Sequence, residues 1–197
     1  MRWAMLAILL LAGCATPFNH VGNEYHSAVM VQTDRGHGSG VVVEQGVLTA
    51  AHVISGRETF RVITHDGEYE TNEIALMGEG GTLTDWAIMV VETGIEPAET
   101  YCGPVYVGQR LVAVGNPGIG GGHLRTVTWG RVSTIDIGEQ SAFSHTVGLD
   151  IRAAPGSSGG PVYDEQGRVV GLIAGVGTHS MGMMRTSLMV RLPEEVC

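Results

Sequence analysis

The chain has 197 residues, with 11 basic against 20 acidic side chains, a formal charge of -9 and no lysine. No basic run exists to follow a phosphate backbone or an anionic headgroup surface, which argues against nucleic-acid binding. The length suits one sizeable domain or two small cores sharing an interface, and 30 glycines among many short apolar runs point to an all-β architecture, sandwich or barrel pair.

Met1-Arg2 is a short positive start, and the apolar run Trp3–Ala12 is too short to span a bilayer as a helix, so it reads as the core of an export leader. Leu11-Ala12-Gly13-Cys14 resembles the lipobox of bacterial lipoproteins. That resemblance implies a signal peptide over residues 1–13 and lipidation of Cys14; an ordinary secretory peptide is the competing reading. Ala15 stands where an aspartate would favour the inner membrane, which directs the expectation to the outer membrane of a diderm envelope. Residues 14–25 then form a tether, of which residues 15–25 reach about 36 Å at about 3.3 Å each. Removing the leader takes away Arg2 and no acid, so attachment must come from acyl chains, at about 0.8 kcal/mol per buried methylene. With Cys14 acylated, Cys102 and Cys197 remain, and an exported compartment permits a disulfide between them. Two free thiols remain the alternative, because spacing does not show proximity.

The domain proper is expected over residues 26–197. His26–Gln32 is its first predicted strand, Asp34–Gly40 a glycine-rich turn, and Gln45-Gly46 a second turn delivering a strand that ends at His52. Arg57–Ile63 and Glu68–Met77 read as paired strands about His65-Asp66-Gly67, whose Asp-Gly is a hairpin signal and whose histidine is expected in solvent. Glu79–Thr84 loops into Asp85, which opens the apolar strand Trp86–Val91. Glu92–Pro104 connects two halves, about 26–100 and about 104–192. The glycine-rich run Gly115–Gly122 lacks the lysine and helix of a phosphate loop and reads as a mobile loop near the site. Trp129 is expected either to wall the site or to fill the core, with the core as the default. His20, His26, His37, His123, His145 and His179 form no ligand spacing, so no metal and no cofactor is expected.

Three segments carry the chemistry. Leu48-Thr49-Ala50-Ala51-His52-Val53 sets a histidine after a small apolar strand end, Asp85 stands before an apolar strand, and Arg152–Pro161 surrounds Ser158 with glycine and proline. Gly156-Ser157-Ser158-Gly159-Gly160 also fits the elbow of α/β-hydrolases, but there the acid and histidine follow the serine and a helix comes next. Here only His179 follows, and the residues after Gly160 have no helical period.

The T-A-A-H segment, the acid opening a strand, and G-x-S-G-G-P, in the order His52, Asp85, Ser158, resemble the trypsin/chymotrypsin-like serine proteases. Gly40–Val43, Gly108–Pro117 and Thr126–Ser133 narrow the resemblance to the bacterial HtrA/Deg type, over residues 26–192. It implies two six-stranded antiparallel β-barrels with the site in the cleft between them, and no PDZ-like segment follows residue 192. It further implies a serine endopeptidase acting on protein or peptide substrates. His52 is then the general base, Asp85 its orienting acid with Asp66 as fallback, Ser158 the nucleophile, and the Gly156 and Ser158 N–H groups the oxyanion donors.

Departures from the pattern shape further expectations. Ser157 replaces the aspartate that trypsin-like zymogens use to pair with a new N-terminus, so no proteolytic activation is expected. Arg152 occupies the place that is acidic in trypsin-like pockets, and Ala174, Gly175 and Val176 form the opposite wall, which suggests a small or medium apolar residue before the cleaved bond. Ala174 also replaces a hydroxyl that often bonds the catalytic acid. A protease-shaped binding or structural lipoprotein without turnover is the reading from another class.

Overall fold

The computed structural model describes residues 26–78, 84–119, 122–123, 125–135, 146–178 and 185–197. The predicted leader, Cys14 and the tether lie outside them, as do His20, His145 and His179. Among the described residues no helix is long and apolar enough to cross a membrane.

The first half holds β1 (Ala28–Thr33), β2 (Gly36–Val43), β3 (Gly46–Thr49), the one-turn helix α1 (Ala51–Ile54), β4 (Phe60–Ile63), β5 (Glu68–Thr71), β6 (Ile74–Met77) and β7 (Ala87–Met89). These strands form one open antiparallel sheet in the order β5-β4-β1-β2-β3-β7-β6. The second half holds β8 (Arg110–Gly115), the short pair β9 (Gly118–Ile119) and β10 (Gly122–His123), β11 (Thr126–Ile135), β12 (Val147–Leu149), β13 (Pro161–Tyr163), β14 (Val169–Thr178) and β15 (Arg185–Arg191). Six of them close into a barrel, β11-β12-β15-β14-β13-β8.

The expectation of two six-stranded barrels is therefore corrected: one six-stranded barrel closes, and its companion is an open seven-stranded half-barrel. The cause lies in Glu68–Met77, which reads as a single strand but breaks at Asn72-Glu73. There the Thr71 hydroxyl donates to the Val90 carbonyl at 2.7 Å and the Val90 N–H to the Glu73 carbonyl at 3.0 Å. The chain turns a corner, β5 stays with β4, β6 crosses to β7, and the two become opposite edges that do not pair with each other.

Two local expectations also change. The hairpin turn sits at Asp34-Arg35, and Gly36–Ser39 already belongs to β2, paired with β1 from Thr33↔Gly36 onward. Gly38 serves close packing there, since a Cβ would lie 2.6 Å from a Val53 methyl. Trp129 is 59% exposed rather than core, because Val132, Leu149, Ile173 and Met189 already fill the barrel and β11 turns its Trp129 face outward. The turn at His65-Asp66-Gly67 forms as read, closed by the Thr64 N–H to the Gly67 carbonyl at 2.9 Å.

Three apolar clusters hold these parts together. One underlies the half-barrel, one fills the barrel, and the third is shared: Val41, Leu48 and Ile88 meet Val112, Val114, Tyr163 and Leu172. Burying each such aliphatic side chain contributes about 1.5–3 kcal/mol, so the seam fixes the two halves against each other. The connector is pinned as well, with the Ala98 N–H on the Val42 carbonyl at 2.9 Å and the Tyr101 N–H on the Val169 carbonyl at 2.8 Å. Cys102 and Cys197 are joined by a disulfide, their Cα atoms 5.8 Å apart, and the Thr100 hydroxyl holds the Val196 carbonyl at 2.7 Å.

Candidate active site

β3 ends at Thr49, three residues before His52, and the chain lifts into α1, which carries the imidazole. Asp85 immediately precedes β7 and is buried at 7% exposure. β3 and β7 are paired neighbours, which brings the two residues together. His52 Nδ1–H donates to Asp85 Oδ2 at 2.6 Å, and the His52 backbone N–H donates to Asp85 Oδ1 at 2.9 Å. Both carboxylate oxygens are thereby committed to one residue, which sets the ring's tautomer and leaves Nε2 as the basic nitrogen. The Asp85 hydrogen bond raises the His52 pKa above its usual 6.5, burial works against it, and the Asp85 charge raises it further. Asp66, the fallback acid, is exposed and pairs with His65 at 3.0 Å.

Ser158 comes from the segment between β12 and β13 of the barrel. Its carbonyl accepts the Ser39 N–H from β2 at 2.7 Å, and it lies against Gly38, which also packs on Val53, the residue after His52. Gly159, at φ +82°, leaves no space for a side chain against Ala50 N, Thr49 Oγ1 and the Ser39 carbonyl. Ser158 is thus held beside both flanks of His52. Its hydroxyl makes no hydrogen bond among the described residues, so the structure joins His52 to Asp85 directly and Ser158 to their sheet through backbone.

Ala154-Pro155-Gly156-Ser157 is a turn closed by the Ser157 N–H on the Ala154 carbonyl at 2.9 Å. Proline followed by a glycine at φ +96° makes it type II. The Pro155 carbonyl accepts the Gly118 N–H at 3.1 Å. Because a trans peptide opposes its C=O and N–H, the Gly156 N–H points away from Gly118. Neither the Gly156 nor the Ser158 N–H has a protein partner among the described residues, which leaves both able to meet an oxyanion.

Arg152 lines a cavity of about 320 Å³ with Ala153, Ala154, Ser157 and Ile173, and Ala174, Gly175 and Val176 are not in its wall. β14 shifts register between Ile173 and Gly175, after which Val176 is exposed. Among the described residues no group of His, Cys, Asp and Glu is placed to hold a metal.

Neither motif nor spacing gave a role to Ser39, Asn116 or His37. Ser39 is fully buried and hydrogen-bonded to Asn116 and Gly156, and His37 Nε2–H donates to the Asn116 carbonyl at 2.9 Å. A serine between two glycines in an otherwise apolar strand was the available signal.

The family model of the trypsin-like peptidase domain matches residues 38–172, which spans β2, α1, Asp85 and Ser158. The chain belongs to that family. Its similarity is to the HtrA/DegP type of serine endopeptidase. It is 31% identical over 156 residues to the serine protease Do-like HtrA of Bacillus subtilis, covering 71% of this chain and 33% of that protein. It is 31% identical over 161 residues to a probable periplasmic serine endoprotease, DegP-like, of Halomonas elongata, covering 79% and 33%. The chain thus spans about a third of the length of these relatives. Among solved structures, the HtrA-type protease AlgW with a tripeptide has a TM-score of 0.69 at 22% identity, covering 87% of this chain and 58% of that one. The serine endoprotease of Yersinia pestis has a TM-score of 0.67 at 24% identity, covering 87% and 60%.

Proposed function

We propose that the protein is an exported serine endopeptidase that hydrolyses peptide bonds through His52, Asp85 and Ser158. The observation that carries this is the doubly bonded His52–Asp85 pair beside β3 and β7, in the same sheet whose strand β2 holds Ser158. His52 Nε2 takes the Ser158 proton as Oγ bonds to the peptide carbonyl carbon, and the oxyanion meets the Gly156 and Ser158 N–H groups. The C–N bond breaks as His52 returns the proton to the leaving amine. Water then attacks the acyl-enzyme with His52 again as base, and releases the acid and the free serine.

Several finer assignments belong to the same proposal. Cys14 carries a lipid that tethers the domain to the cell envelope, at the outer membrane. The substrate residue before the cut is small or medium and apolar, since among the described residues the wall near Ser157 and Ile173 offers no carboxylate to a basic side chain. Activation needs no new N-terminus, for the same reason.

The unengaged Ser158 hydroxyl favours a second reading, a protease-shaped binding protein without turnover. Hydroxyl–imidazole bonds commonly tighten only around substrate, which keeps this reading second. Profiling a peptide library with wild type and Ser158→Ala separates the two: serine-dependent cleavage after apolar residues supports the peptidase, and none supports the binding protein.

A further inference from the structure

The segment Pro155–Gly159 carries the two amide donors, and its far end is tied to the barrel by the Gly159 N–H on the Ile173 carbonyl at 2.7 Å. Its outer side faces the cavity of about 320 Å³, whose described lining includes no carboxylate; there the turn is closed on itself by the Ser157 N–H on the Ala154 carbonyl and the Ala154 N–H on Ser157 Oγ at 3.3 Å. Its inner side meets β2 of the half-barrel.

We propose that Ser39 is a positioning residue that locks Pro155–Gly159 with its amide donors facing the oxyanion, a role that rests on the peptidase reading above. Ser39 Oγ donates to the Gly156 carbonyl at 2.8 Å and accepts the Asn116 N–H at 2.8 Å and Asn116 Nδ2–H at 3.3 Å. One donor and two acceptor positions are all a serine hydroxyl has, so its capacity is used in full. The Ser39 N–H holds the Ser158 carbonyl at 2.7 Å, and the Ser39 carbonyl is itself fixed by the Thr49 hydroxyl at 2.6 Å.

These bonds pin both peptide units that flank Gly156. The 156–157 unit is held by Ser39 directly. The 155–156 unit is held by Gly118, two residues from Asn116, whose place depends on Ser39 Oγ, on the Val29 carbonyl at 3.0 Å and on His37 at 2.9 Å. Type I and type II turns differ mainly by reversal of the central peptide. Without the Ser39 hydroxyl, the buried Asn116 N–H and Gly156 carbonyl lose their partner, and reversing that peptide turns the Gly156 N–H away from the oxyanion. Ser39 therefore acts on the transition state through the turn, without touching substrate.

The test compares wild type, Ser39→Ala and Ser39→Cys, the last keeping a weak donor of similar volume, by peptide hydrolysis, by inhibition with a peptide aldehyde whose adduct carries an oxyanion, and by hydrogen exchange over residues 153–160. Ser39→Ala is expected to lower kcat about 10- to 100-fold, below the 10²–10³ of a deleted oxyanion donor, with KM within about twofold. Aldehyde affinity falls in parallel, exchange in that segment rises at least about tenfold while the barrel strands are unchanged, and Ser39→Cys lies between. Unchanged exchange together with unchanged aldehyde affinity overturns the proposal, as does equal loss of KM and kcat with exchange raised throughout. If wild type neither hydrolyses peptides nor binds the aldehyde, the peptidase reading fails, and the exchange comparison still decides whether Ser39 grips the turn.

Discussion

Asp85 spends both carboxylate oxygens on His52, one on the ring at 2.6 Å and one on the backbone N–H at 2.9 Å. The ring's orientation and its tautomer therefore depend on a single acid, and no other hydrogen bond to Asp85 is present among the described residues. Asp85→Asn keeps the shape but presents an amide, which stabilises the wrong tautomer. It is expected to cost about four orders of magnitude in kcat with little change in KM, measured by steady-state hydrolysis. A loss under tenfold would show that another group orients the ring.

Ala174 is half-buried against the cluster that holds Trp86, the residue after Asp85. Placing a hydroxyl there, as Ala174→Ser, is expected to raise kcat modestly if the half-buried side chain reaches Asp85, and to leave it unchanged otherwise. Steady-state kinetics on the correctly folded variant decide it.

The raised pKa of His52 sets the pH dependence. The base must be neutral to accept the serine proton, so the acid limb of kcat/KM is expected to have its midpoint above 6.5. Removing the Asp85 charge deletes both raising causes and leaves burial, so the imidazole midpoint in Asp85→Asn moves down, as an NMR titration would read. The sign for stability is the opposite of a carboxylate's. Protonated His52 is favoured in the folded state, so its contribution is complete below pH 6.5 and is lost as pH rises through the folded pKa. The ring is about half exposed, so that contribution is small.

Much of this site was legible in the chain. His52 and Asp85 stand in local patterns that the structure brings into contact, and the Asp66-Gly67 hairpin followed from turn preference alone. Closure of the first barrel was not legible, because whether Glu68–Met77 runs straight or turns at Asn72-Glu73 depends on Val90, which is distant in sequence. Ser39 and Asn116 escaped for a similar reason: a buried polar residue reveals its purpose only when its partner, 77 positions away, is in place. The glycine-rich start of β2 reads as a turn because the residue that Gly38 makes room for, Val53, lies in α1.

Gly159 tests the packing of Ser158 against the histidine's strand. At φ +82°, the Cβ of Gly159→Ala would run into the Ser39 carbonyl, the Thr49 hydroxyl and, at 2.8 Å, Ala50 N. A destabilisation of at least about 2 kcal/mol is expected by thermal or denaturant unfolding, with activity lost together with the fold. A variant of wild-type stability would show that the segment rearranges freely.

The Cys102–Cys197 bridge joins positions 95 residues apart. Removing it with Cys197→Ala is expected to cost about 2–5 kcal/mol in stability while kcat changes little, since neither half of the site is bonded to it. Unfolding curves with and without reductant check this, and coincident curves would contradict it.

The most direct measurement is covalent labelling by a fluorophosphonate, with the modified residue located by mass spectrometry. A single adduct on Ser158 is expected in wild type, greatly slowed in His52→Ala and absent in Ser158→Ala. No adduct on folded wild-type protein, or one equally fast without the histidine, would contradict the peptidase reading.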